Sequence, residues 1–70
     1  MNNIEEIQNK IDNNYHISFE EFCTIKYLDE ESKEKFMEYF MLNTNFDSIY
    51  DIRMIYRVWQ IIYKDFKERW

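Results

Sequence analysis

Residues 49–70 read IYDIRMIYRVWQIIYKDFKERW, and the period of this stretch decides the fold. In its first half Tyr50, Ile52, Met54, Tyr56 and Val58 alternate with Asp51, Arg53 and Arg57, the pattern of a half-buried strand. That alternation breaks at Ile55, Trp59 and Ile61-Ile62. A helical period does not break: Ile49, Ile52, Tyr56, Trp59, Tyr63, Phe66 and Trp70 follow spacings of 3 and 4 in turn, and all are apolar or aromatic. Arg53, Arg57, Gln60, Lys64 and Lys67 fill the opposite stripe. The spacing predicts one amphipathic helix over about 48–70, roughly 33 Å long at 1.5 Å per residue, as the spine of the fold.

Working toward the N-terminus, Ser18-Phe19-Glu20-Glu21 fits a capping box. Ile17 before the cap and Phe22 after it are placed as a hydrophobic staple. A helix over about 18–28 follows. Asp29 offers a second N-cap, with Glu30 and Glu31 in the first turn where carboxylates suit the helix dipole. That helix is predicted to reach about Leu42 and to stop at Asn43-Thr44-Asn45, because Asn tolerates the left-handed conformation that ends helices. Asp47 or Ser48 is then the cap of the last helix. Ile4, Ile7 and Ile11 mark a short first helix ended by Asn13-Asn14. The expectation is an all-α fold, a small bundle of about four helices, with residues 1–70 as a single helical domain.

Seventy residues lie near the size at which a folded chain buries only about 60% of its unfolded surface. Such domains commonly add disulfides, a structural metal or a partner subunit. One cysteine, Cys23, forms no intramolecular disulfide, and one histidine, His16, leaves too few soft ligands for zinc. A partner remains. Hydrophobic residues at 46% and aromatics at 20% are ample for a core and exclude a disordered chain. Glu5 and Glu6 stand where a signal peptide needs a basic start and an apolar run, and the longest apolar run, Tyr39-Phe40-Met41-Leu42, is far short of a membrane span. A soluble, cytoplasmic protein is expected.

The chain has no Gly and no Pro, where average usage gives roughly 5 and 3 or 4. Nucleotide-binding motifs built on glycine loops are therefore excluded. A Cys23-His16 pair would need an orienting group and oxyanion donors that no motif supplies, so Cys23 reads as a small core residue and His16 as a residue leading into the cap. Adjacent acids on a helix point about 100° apart and do not converge on one ion. The expectation is no enzyme, no cofactor and no metal.

Charge is uneven. Residues 1–47 hold 4 Lys against 11 Asp or Glu, and residues 48–70 hold 5 Lys or Arg against 3, for a net −5. Direct nucleic-acid binding is disfavoured by that sum, and the acids that open the helix after Asp29 do not suit a recognition helix. Membrane-surface binding by the basic stripe is opposed by the acidic remainder. Glu30, Glu34 and Glu38 repeat at i, i+4 and i+8, where like charges repel. A face that tolerates this suits a basic partner, and Glu20, Glu21, Asp29, Glu30, Glu31, Glu34 and Glu38 form the candidate partner-binding acidic face.

A second candidate surface comes from the width of the C-terminal apolar stripe. Met54, Ile55, Val58, Trp59, Ile62, Tyr63, Phe66 and Trp70 make a candidate seam for a homodimer or a protein partner. Six Tyr, six Phe, two Trp and four Met are residue types enriched at interfaces, although a chain without small fillers also packs its core with large side chains.

In size, acidity and a composition rich in Ile, Asn, Lys and Tyr, which suggests an AT-rich genome, the chain is similar to accessory proteins of phages and mobile elements, including anti-CRISPR inhibitors of bacterial defence. That resemblance rests on no motif. It implies a small module that inhibits or modulates a larger macromolecule, its acidic face imitating a phosphate backbone before a basic nucleic-acid channel. The alternative is a structural or assembly protein, a helical homodimer joined through its C-terminal helix.

Overall fold

The computed structural model describes residues 3–69. The chain is mostly helical, with four helices and one small sheet: α1 (Asn3–Asp12), β1 (His16–Ser18), α2 (Phe19–Ile25), α3 (Glu30–Asn43), β2 (Arg53–Ile55) and α4 (Tyr56–Arg69). Each strand runs without a break into a helix, β1 into α2 and β2 into α4. The two strands pair antiparallel in the register His16↔Ile55, Ile17↔Met54, Ser18↔Arg53.

This sheet corrects the reading of the C-terminal stretch. The long helix over about 48–70 is not formed. Helix begins only at Tyr56, and Arg53-Met54-Ile55 is extended. Both periods place Ile52 and Tyr56 inside, so these positions cannot separate them. What decides is a non-local partner, because His16–Ser18 offers a strand and Ile17 and Met54 then point together toward the core. Ile49 and Ile52 are buried as predicted, but from a turn in which Ile52 N–H donates to Ile49 O at 3.3 Å. Asp47 and Ser48 cap no helix.

The other helix ends follow local chemistry. Ser18 caps α2 as expected: its Oγ accepts from Glu21 N–H at 3.2 Å while Glu21 Oε1 accepts from Ser18 N–H at 3.0 Å. Asp29 Oδ1 accepts from Ser32 N–H at 2.8 Å and caps α3. Helix α1 ends at Asn13-Asn14 as expected. Asn14 takes a left-handed φ of 58°, Tyr15 N–H reaches Lys10 O and Asn14 N–H reaches Ile11 O, a Schellman ending. Helix α2 ends the same way, three residues before the expected Leu28, with Tyr27 at φ 56° in the place usually held by glycine. Helix α3 departs from expectation. Thr44 is extended, and the last carbonyls are satisfied by side chains: Asn43 Nδ2 donates to Tyr39 O and Thr44 Oγ1 to Phe40 O, both at 2.8 Å.

The core is aromatic. Phe36 packs against Phe19, Phe22, Trp59, Tyr63 and Phe66 with ring centroids 5.1–6.2 Å apart. Phe22 stacks on Trp59 at 5.6 Å. Large rings at these spacings supply burial and edge-to-face electrostatics that smaller side chains would not. Ile7, Ile17, Phe40, Cys23, Ile49 and Ile52 complete a cluster with which α1 through α4 and both strands are in register. No helix among the described residues is long and apolar enough to cross a membrane.

Candidate functional site

Helix α3 buries Phe36, Tyr39 and Phe40, which lie within about 100° of one another around the axis. The same 100° step puts Glu30, Glu34, Glu38, Met41 and Leu42 on the side away from the core, and all five are exposed. Successive glutamates there stand about 6 Å apart along the helix. Leu42 is 73% exposed at the end of that row. The apolar surface was signalled by Tyr39-Phe40-Met41-Leu42: four consecutive helical residues cannot all face one core, so two must point outward.

The candidate acidic face is not one surface in its use of charge. Glu20 pairs with Lys33 at 2.6 Å and Glu21 with Lys10 at 2.5 Å, tying α2 to α3 and to α1. Glu31 pairs with Lys35 along its own helix at 3.2 Å. Asp29 is occupied as a cap. Among the described residues, Glu30, Glu34 and Glu38 make no ion pair. Three of the seven acids are thus left without a direct ion pair, and they are the three that share a line, with Glu30 attracting the Lys33 ammonium at longer range.

The candidate seam divides likewise. Trp59 and Phe66 are in the core of the monomer, and Met54 and Tyr63 pack against it. Trp59 is fully buried and its indole Nε1–H donates to Ile17 O at 3.0 Å, so it offers no surface to a second chain. Ile55 and Ile62 are half-buried and Val58 is exposed, while Trp70 lies outside the described residues. Ile61, which widens the apolar stripe of the same segment, is 65% exposed and flanks a groove of about 330 Å³ lined by Tyr39, Phe40, Ile62 and Asp65. Tyr39 O–H donates to Asp65 Oδ2 across the base of this groove and joins α3 to α4.

Cys23 is buried on α2, as expected of a core residue. Desolvation, followed by the nearby Glu20 carboxylate, pushes its thiol up to about 12. At neutral pH it is a protonated thiol and a poor nucleophile. His16 stands exposed at the start of β1, the strand that leads into the Ser18 cap. Among the described residues no three His, Cys, Asp or Glu side chains are placed to hold one metal ion.

Compared with known proteins, the chain matches no family model, no curated protein and no solved structure.

Proposed function

We propose that this chain is a non-enzymatic binding module that engages a basic surface on a larger macromolecule through the outer face of α3. The observation that carries this reading is the unspent row Glu30, Glu34 and Glu38, continued by exposed Met41 and Leu42. Like charges at i, i+4 and i+8 destabilise a helix modestly, and among the described residues no direct ion pair relieves them, the Lys33 ammonium attracting Glu30 only at longer range. A cationic partner would. Glutamates about 6 Å apart present a linear array of negative charge, and the apolar end of the row excludes water beside it. A nucleic-acid-binding channel on a protein is the surface such an array fits, and occupying it inhibits. A cytoplasmic setting, as for phage or mobile-element accessory proteins, agrees with the free cysteine.

The test is capture from the native host with the wild-type chain and with E30K/E34K/E38K. The wild type is expected to retain a partner that DNA displaces and that rising salt releases, and the triple variant to lose it. Undiminished capture of the same partner by the triple variant rules the reading out.

One observation favours a second reading, self-association through α4. Val58 and Ile61 are exposed on that helix beside the apolar groove against α3. Sedimentation of the purified chain separates the two readings: a dimer that Ile61→Asp dissociates supports the second, and a monomer at all concentrations removes it.

A further inference from the structure

The left-handed turn at Asn14 returns the chain from α1 so that Tyr15 N–H bonds Lys10 O at 2.7 Å, and β1 begins one residue later. The end of α1 is thereby fixed beside the outer face of the ribbon. Alternation along the strands, in the observed register, puts His16, Ser18, Arg53 and Ile55 on that outer face, with Ile17 and Met54 inside. His16 and Arg53 are diagonal neighbours there, a separation that long side chains bridge. Lys10, Tyr15, His16 and Arg53 line a solvent-open cleft of about 530 Å³.

In a chain of net −5, this cleft is lined by no carboxylate. Arg53 forms no ion pair and His16 no hydrogen bond from its ring among the described residues. Lys10 gives one of its three N–H groups to Glu21 behind it, and its side chain is still 37% exposed. Tyr15 is 63% exposed with no ring partner, although an aromatic side chain of this size is usually packed. Arg53 and His16 are thus exposed at the cleft without a side-chain partner among the described residues, Lys10 lines it while paired with Glu21, and the Tyr15 ring lines the same cleft.

We propose that this cleft binds a nucleoside monophosphate, with Arg53, Lys10 and His16 on the phosphate and Tyr15 stacked on the base. A planar guanidinium and an ammonium together suit a tetrahedral phosphate, and stacking on an exposed phenol ring holds any base. A long nucleic acid is disfavoured, because the acidic row on α3 and the overall charge repel a polyanion while a single phosphate meets only the local field. The site is independent of the α3 face.

The test is titration of the ¹⁵N-labelled full chain with AMP, adenosine and inorganic phosphate, followed by NMR. AMP is expected to shift resonances of Tyr15, His16 and Arg53 saturably, with Kd on the order of 1 mM or tighter. Arg53→Gln is expected to weaken AMP about tenfold. Tyr15→Ala should weaken AMP and leave phosphate as it was. Retention of the wild-type amide pattern away from the cleft shows that each variant is folded. Absence of saturable shifts at these residues overturns the proposal. So does adenosine binding as tightly as AMP, which removes the phosphate contact, or phosphate binding as tightly as AMP, which removes the stack.

Discussion

The indole N–H of Trp59 donates to the carbonyl of Ile17 at 3.0 Å, across 42 residues of sequence. Both residues are fully buried. The bond fastens the first turn of α4 to β1, while one step away Ile17 pairs with Met54 in the ribbon. Strand register and helix position are thus set by one cluster, in which an aromatic ring brings burial and its single polar atom closes the only demand it makes.

Trp59→Phe retains an aromatic ring and removes the donor. The Ile17 carbonyl is then buried without that partner, a change that costs about 1–3 kcal/mol. For a domain of this size, each kcal/mol lowers the thermal midpoint by about 4–8 °C. Urea denaturation should show a reduced midpoint with unchanged slope. A loss below about 0.5 kcal/mol would show that water or a backbone shift satisfies the carbonyl instead.

Why Trp59 reads from sequence as an interface residue is physical. Large aromatics are enriched both in cores and at contacts, and which applies here depends on Phe19, Phe22, Phe36 and Phe40, brought in by other helices. Local signals were legible: the cap at Ser18, the cap at Asp29, the Asn13-Asn14 ending and the outward row of glutamates each depend on residues within one or two turns. The strand at Arg53–Ile55 was only half legible: the alternation over 50–58 signals it, but the helical period runs through the same residues, and the partner that decides between them lies far along the chain. The end of α2 was hidden as well, since a chain without glycine gives no marker for a left-handed residue.

Glu21 should make stability sensitive to acid. Burial raises its pKa, but the Lys10 ammonium, the Ser18 N–H and the Ser18 hydroxyl together outweigh that effect and hold the carboxyl below its ordinary 4.5. A carboxyl depressed by folding adds stability that is fully present above the unfolded value and disappears as pH falls through the folded one. Asp29, lowered from 3.8 first by the Ser32 N–H, acts in the same direction at still lower pH. The urea midpoint should therefore decline below about pH 4.5, and Glu21→Gln should be less stable at pH 7 with a shallower decline. A variant whose acid limb superimposes on the wild type would remove Glu21 from the explanation. Ser18→Ala, which takes away the reciprocal cap, is expected to cost about 1 kcal/mol at neutral pH.

Cys23 should be protected by the fold. Its thiol is buried and pushed up to about 12, so almost no thiolate exists at pH 8 and access requires opening of α2. A thiol-reactive disulfide reagent is expected to label the native chain slowly and the urea-unfolded chain within the mixing period. Equal rates in the two states would contradict the placement of Cys23 in the core.

Tyr27 is the position where a substitution should improve the protein. It occupies the left-handed residue of a Schellman ending at φ 56°, and for a side chain with a Cβ this conformation costs roughly 1–2 kcal/mol. The ring is 77% exposed and takes no part in the aromatic cluster, so little packing is lost with it. Tyr27→Gly relieves the strain but frees the unfolded chain, which returns part of the gain. The net expectation is a stabilisation of about 0.5–1 kcal/mol, read as a higher urea midpoint. Asn14→Gly is the internal comparison: its φ is 58°, but Asn tolerates that region, so its gain should be smaller. If both glycine variants were destabilised, backbone strain at these helix ends would be negligible, and the exposed Tyr27 ring would have to contribute contacts that its position does not reveal.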